Sequence, residues 1–213
     1  MGMIIEIRRI RNHTLILFDD GCSFRMQKSD LSLKSVEIGQ TFDTEAFEKW
    51  ILQQQYRKAL DKAVSLLALR ACSKGEINNK LSASGYSDCT VQLVLYKLQK
   101  ESLLDDASFT DQWTEYRSMH RYGPRRIASE LKRKGVSDEL IEKAVDSISS
   151  DTQIEQAVHI AEKYAKQAHK GDDCRKIKQR AIAAIIRRGY SWGTAEEACS
   201  RVSFIPDDCS EEE

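Results

Sequence analysis

Proline is nearly absent from this chain, with two in 213 residues, and net charge is absent altogether, with 33 basic side chains against 33 acidic. Few prolines leave long helices uninterrupted. Zero net charge removes the simplest case for a nucleic-acid or membrane-surface protein, a uniformly basic chain. Long apolar runs are missing as well. The opening MGMIIEIRRI is too short for a secretory leader, and no small-residue cleavage site follows it. Glu6 stands where N-myristoylation of Gly2 would want Ser or Thr. No Gly-rich phosphate loop, nucleophile motif or cofactor fingerprint occurs, so the chain is read as a non-enzyme without a cofactor. Asp105 and Asp106 are adjacent carboxylates, and capping of the next helix explains them better than catalysis. The six cysteines, Cys22, Cys72, Cys89, Cys174, Cys199 and Cys209, form no CxxC pair. The histidines, His13, His120, His159 and His169, are scattered away from them. That spacing fits free thiols in a reducing cytoplasm rather than a metal site or a disulfide framework.

What remains is 41% hydrophobic and 31% charged, a composition suited to a mainly α-helical protein. The first 55 residues carry strand signals: two β-prone stretches, His13 to Phe18 and Cys22 to Met26, flank an Asp20-Gly21 pair suited to a tight hairpin turn. Ile5 and Ile7 alternate with charged neighbours and read as a third strand. Asp43 is placed to cap a helix bearing Phe47, Trp50 and Ile51 on one face. Arg8, Arg9 and Arg11 give this module a basic edge, which reads as edge-strand protection.

Beyond residue 56 the sequence repeats. Gly85, Gly135 and Gly189 stand 50 and 54 residues apart. Eight and four residues before them lie Ile77 and Leu81, Ile127 and Leu131, and Ala181 and Ile185. Behind each glycine, apolar or small residues recur at matching offsets, for example Val91, Ile141 and Ala195. Both sets of offsets lie on single helical faces, and the glycine between them suits a left-handed helix end. Ser87, Ser137 and Ser191 then offer N-caps, with Ser137 the best placed. A longer amphipathic stretch precedes each pair. The expectation is three tandem three-helix repeats, 56–104, 105–151 and 152–204, in an elongated curved array between the hairpin module and an acidic tail at 205–213.

The repeats provide a control for charge. In YGPRRIASELKRKGVS, residues 122 to 137, Arg125, Arg126, Lys132 and Arg133 fall opposite the face of Ile127 and Leu131. The same positions in the first copy are Gly75, Glu76, Ser82 and Ala83, and in the third Gln179, Arg180, Ile186 and Arg187. An uncharged face is tolerated at this helix, so folding does not require the cations. From Cys174 to Tyr190 there are Arg175, Lys176, Lys178, Arg180, Arg187 and Arg188 and no acid, while Arg117 and Arg121 add to the middle copy. The balancing acids lie elsewhere, in Glu101, Asp105, Asp106, Asp111, Glu115 and the tail. Neutrality hides a segregated charge.

Four stretches resemble the RecX family, the bacterial regulators of the RecA recombinase: LLALRACSKGEINNKLSASGY, LLDDASF, YGPRRIASELKRKGVS and IIRRGYS. The hairpin followed by IGQTFDTEAFEKWI is similar to an extended N-terminal form within that family. The resemblance implies a non-enzymatic, cytoplasmic regulator that lies along the RecA–DNA filament, inhibits ATPase and strand exchange, and damps recombination and the SOS response. It is read as a monomer with no membrane partner. The contact set is Arg117, Arg121, Arg125, Arg126, Lys132, Arg133, Lys176, Lys178, Arg180, Arg187 and Arg188. Ser82 and Ala83 depart from the basic residues usual at that place. The competing expectation is non-specific binding of single- or double-stranded DNA through the basic helices. A major-groove reader is opposed by the acid-rich helix after the turn, DELIEKAVDSIS.

Overall fold

The computed structural model describes residues 1–167 and 173–204, so His169, Cys209 and the acidic tail at 205–213 lie outside the described residues. The chain is mainly helical and divides into two compact units, Met1–Asp106 and Ala107–Glu213. No described helix is long and apolar enough to cross a membrane.

In the first unit, strands β1 (Gly2–Ile10), β2 (His13–Phe18), β3 (Ser23–Met26) and β4 (Thr41–Phe42) form an antiparallel sheet in the order β3-β2-β1-β4. Strand β2 shows the alternation expected of a half-buried strand, with Thr14, Ile16 and Phe18 inward. The tight two-residue turn is Arg11–Asn12, between the paired Ile10 and His13. Asp20–Gly21 instead occupies a wider loop: the Phe18 N–H donates to the Cys22 carbonyl and the Cys22 N–H to the Asp20 carboxylate, 2.9 Å each. An aspartate that binds its own backbone two residues on favours this longer turn. Helix α1 (Lys28–Leu33) had no clear sequence signal.

Helix α2 (Thr44–Leu69) starts at the Asp43 cap and runs unbroken through residues 55 and 56, so sheet and first helical trio share it. Phe47 and Ile51 at one end pack with Phe18, Phe24 and Met26, while Ala59 and Ala63 at the other pack with α3 (Lys74–Ala83) and α4 (Asp88–Lys100). Between them sits Gln55, fully buried. Its Nε2 donates to the Arg25 carbonyl (2.9 Å) and the Asp30 carboxylate (2.6 Å), and its Oε1 accepts the Ser87 N–H (2.8 Å). One amide thereby satisfies groups from the sheet, α1 and α4. Asp106 Oδ1 accepts the N–H of Lys74 at 2.7 Å, so this carboxylate serves the first turn of α3.

The second unit holds two further trios: α5 (Asp106–Met119), α6 (Pro124–Arg133), α7 (Asp138–Asp146), then α8 (Ser150–Lys166), α9 (Cys174–Arg187), α10 (Trp192–Ser200). Gly85, Gly135 and Gly189 have φ of +87°, +75° and +98°, the left-handed turn that the repeat calls for. Ser191 caps α10 through its hydroxyl, whereas Ser87 and Ser137 stand at N-caps without a side-chain bond. The acids of the first turn of α7, Asp138 and Glu139, favour that end electrostatically without it.

The two trios of the second unit meet backbone to backbone. The Gly123 N–H donates to the Arg188 carbonyl (2.8 Å) and the Arg125 N–H to the Gly189 carbonyl (3.1 Å). Gly123 is an N-cap without a side chain, and a carbonyl of the neighbouring turn takes the orphan N–H of α6 in its place. A Cβ on Gly123 would meet Gly189 C at 2.5 Å, and one on Gly189 would meet Arg126 N at 2.5 Å. Gly189→Ala therefore meets both left-handed strain and a backbone clash, with a cost above about 2 kcal/mol. Gly21→Ala, at φ +85° with nothing within 4 Å, bears only the strain of about 1 kcal/mol. Thermal denaturation should rank them in that order; equal shifts would contradict the close approach.

Candidate partner-binding surface

The middle trio has the thinnest apolar core. Its buried cluster is Phe109, Ile127, Leu131, Val136 and Ile141, five residues where the last trio has twelve. Polar and aromatic groups supplement it. Glu130 lies on the buried side of α6, its side chain 7% exposed, and its Oε1 accepts from Arg117 Nη2 and from Arg126 Nε at 3.2 Å. Burial pushes the Glu130 carboxyl up, but the bonds and charges of Arg117 and Arg126 outweigh it and hold the group below its ordinary value. The Arg117 guanidinium, 16% exposed, lies over the Tyr122 ring at 3.8 Å. Arg126 and Arg188 approach the same ring at 4.7 and 5.4 Å. Arg188 Nη1 also donates to the carbonyls of His120 (3.1 Å) and Arg121 (3.3 Å). Lys134 Nζ sits 4.0 Å from the Trp113 ring. Such cation–aromatic contacts contribute about 0.5–2 kcal/mol each, more when desolvated.

The structure thus divides the cations singled out in the sequence. Arg117, Arg126 and Arg188 meet at Tyr122, beside the joint between the two trios, with Arg126 still 45% exposed. Arg125, Lys132 and Arg133 stand exposed on the outer side of α6. Lys132 pairs with Asp138 at 3.1 Å, but both side chains are more than two-thirds exposed, so the pair adds little. On α9, Lys176, Arg180 and Arg187 are exposed and fall within about 40° of one another at 100° per residue. Lys178 projects from a different flank, close enough to Cys199 to favour its thiolate, though burial dominates and raises that thiol. Among the described residues, Arg125, Arg133, Lys176, Arg180 and Arg187 form no ion pair. Arg121 lies apart from both stripes, in the turn after α5.

Sequence reasoning missed Glu130 and Tyr122. An acid four residues after Arg126, on the Ile127 and Leu131 side of a helix otherwise rich in cations, was the available signal for Glu130. The exposed side of α7 carries Glu139, Glu142 and Asp146, and that of α10 carries Glu196 and Glu197. Neither helix suits a phosphate-lined groove.

Two family descriptions match this chain: "RecX, second three-helix domain" over residues 105–145 and "RecX, third three-helix domain" over residues 151–199. A regulatory protein RecX of Bacillus licheniformis is 31% identical over 206 residues, an alignment covering 93% of this chain and 75% of the relative. One from Mycobacterium sp. (strain JLS) is 35% identical over 136 residues, or 61% of this chain and 73% of that one. A crystal structure of regulatory protein RecX shares the fold with a TM-score of 0.64 at 20% identity, over 94% of this chain and 100% of that one. The crystal structure of RecX from Lactobacillus salivarius gives the same score over 70% of this chain and 96% of its own.

Removing a partner of a buried ion pair strands the other charge. Glu130→Ala should lower stability by about 3 kcal/mol and Lys132→Ala by less than about 0.5 kcal/mol. For a unit of this size the former is a drop in melting temperature of more than about 10 °C. The depressed carboxyl also sets a pH dependence: its contribution is present above its ordinary value of 4.5 and is lost as pH falls through the lower folded value. Glu130→Gln should remove that portion of acid sensitivity. Parallel melting-temperature profiles for wild type and Glu130→Gln between pH 6 and 3 would refute this role.

Proposed function

The chain belongs to the RecX family of regulatory proteins, and from that premise we propose that it binds the RecA–DNA filament as a non-enzymatic regulator. In this reading it acts in the cytoplasm as a monomer, inhibits RecA ATPase and strand exchange, shortens filament lifetime, and so damps recombination and the SOS response. The observation that carries the reading is the pair of exposed cation stripes, Arg125, Lys132 and Arg133 on α6 and Lys176, Arg180 and Arg187 on α9. Arg133 and Arg187 hold equivalent places in the two repeats, and neither has an ion-pair partner among the described residues. A charge left unpaired on a solvated helix costs little and remains available to an acidic protein surface or to phosphate. Arg117 and Arg126 support the surface by fixing Glu130 and Tyr122.

The same stripes favour a second reading, direct and non-specific binding to DNA. The acids on α7 and α10 oppose docking of either helix in the major groove, so such binding would follow the phosphates and weaken steeply with salt.

The test is DNA-stimulated ATP hydrolysis by RecA, with the protein added before or after filament assembly. Arg125→Glu with Arg133→Glu, and Arg180→Glu with Arg187→Glu, should each raise the concentration for half-inhibition by at least about tenfold while leaving the melting temperature unchanged. Undiminished inhibition by both double variants would remove these stripes from the contact. A wild-type protein that binds DNA tightly alone and leaves RecA untouched would establish the second reading instead.

A further inference from the structure

Two cations of α8, Lys163 and Lys166, belong to neither stripe and lie in the last turn of that helix. With Arg121, Arg188 and His159 they line two adjoining hollows of about 240 and 360 Å³, which share Arg121, His159, Lys163 and Gln167. The walls come from three places in the second unit: the turn after α5, the end of α8 and the end of α9.

Compensation of helix dipoles is the first explanation to weigh, because α5, α8 and α9 all end here. Each C-terminus brings about half a negative charge. Glu162 is the one carboxylate in the described lining, and it faces His159 at 3.3 Å. Three half-charges and one carboxylate fall short of cancelling Arg121, Lys163, Lys166 and Arg188, so the described lining is positive. Arg121, Lys163 and Lys166 form no ion pair among the described residues. Arg188 is held rigidly in the wall by its bonds to the carbonyls of His120 and Arg121.

The backbone at Arg121 supplies an independent observation. Its φ is +58°. The Arg121 N–H donates to the Ser118 carbonyl (2.8 Å) and the Tyr122 N–H to the Arg117 carbonyl (3.1 Å), the pattern that closes a helix on a left-handed residue. Glycine fills the left-handed place after α6 and α9, at Gly135 and Gly189, while a small serine, Ser102, fills it after α4. An arginine here is the poorer choice for the turn, and it places a long cation at the cleft. Strain carried at one residue and matched by convergent charge points to a ligand.

We infer that this cleft binds a phosphate group. The guanidinium of Arg121 offers a planar fork for its oxygens, the ammonium of Lys163 offers a point charge, and Arg188, fixed in the wall, adds a further positive charge. The phosphate comes either from a free ion or from the backbone of a nucleic-acid strand passing over the cleft. The interaction requires no recombinase, so its failure is separate from failure of the filament reading.

The test uses the whole chain, with Arg121→Gly and Lys163→Glu. Arg121→Gly relieves the turn and should leave the melting temperature unchanged or higher, and Lys163→Glu alters an exposed side chain. Inorganic phosphate, titrated at constant ionic strength against chloride, should shift the amide resonances of Arg121, Lys163 and Gln167 in wild type and not in either variant. In parallel, fluorescence anisotropy with a labelled single-stranded oligothymidylate reads backbone phosphate. For a strand ligand, each variant should weaken binding about tenfold and lower the slope of log K against log salt by about 1. Loss of phosphate shifts with unchanged oligonucleotide affinity supports a free-phosphate site. Absence of phosphate shifts in wild type, together with variants that bind the oligonucleotide as wild type does, overturns the proposal.

Discussion

One carboxylate, Glu130, sets the arrangement of the middle repeat. It faces inward on a helix whose other charges face outward, and it draws Arg117 from α5 and Arg126 from α6 to the same oxygen. Both guanidinium groups then lie against Tyr122, which fixes the chain as it enters α6. With so few buried apolar residues in this trio, an ion pair of low exposure and a stacked aromatic hold what a larger core would hold elsewhere. Removing one member would cost more than the pair contributes, because the desolvated partner would remain.

The glycine contact at the neighbouring turn depends on the same residues. Gly123 and Gly189 allow the two backbones to meet, and Arg188 at the end of α9 reaches the ring that Arg117 and Arg126 already cover. Three arginines from three helices or their ends thus converge on one tyrosine. A basic sequence signature here combines two functions. Some of its charges close the joint between repeats, and the others are left in solvent.

The repeat itself was legible because its signals are local: apolar offsets of helical period and a glycine where the backbone turns left-handed. The structure bears these out at Ile77, Ile127 and Ala181, all fully buried, and at Gly85, Gly135 and Gly189. What the sequence did not reveal depends on residues brought together only by folding. Gln55 joins groups 25 to 35 residues away, and Tyr122 meets Arg188 from the end of the second helix of the next repeat. Hence Arg117, Arg126 and Arg188 looked equivalent to Arg125 and Arg133 in one dimension. The β2–β3 hairpin stands where the Asp-Gly pair placed it, and only its turn is wider than two residues, because the Asp20 side chain binds the Cys22 N–H. Lys163 and Lys166 escaped notice because Tyr164 and Ala165 separate them and Glu162 precedes them, so no run of like charge marks them.

The central claim is that Arg125, Lys132, Arg133, Lys176, Arg180 and Arg187 carry the partner contact while Arg117, Arg126 and Arg188, gathered on Glu130 and Tyr122, carry the fold. Amide hydrogen exchange of this chain, free and bound to a RecA filament assembled on DNA, tests it most directly. The account predicts added protection over residues 124–133 and 174–187, with the sheet formed by β1 to β4 little changed. Protection confined to the sheet, with α6 and α9 exchanging as in the free protein, would contradict it.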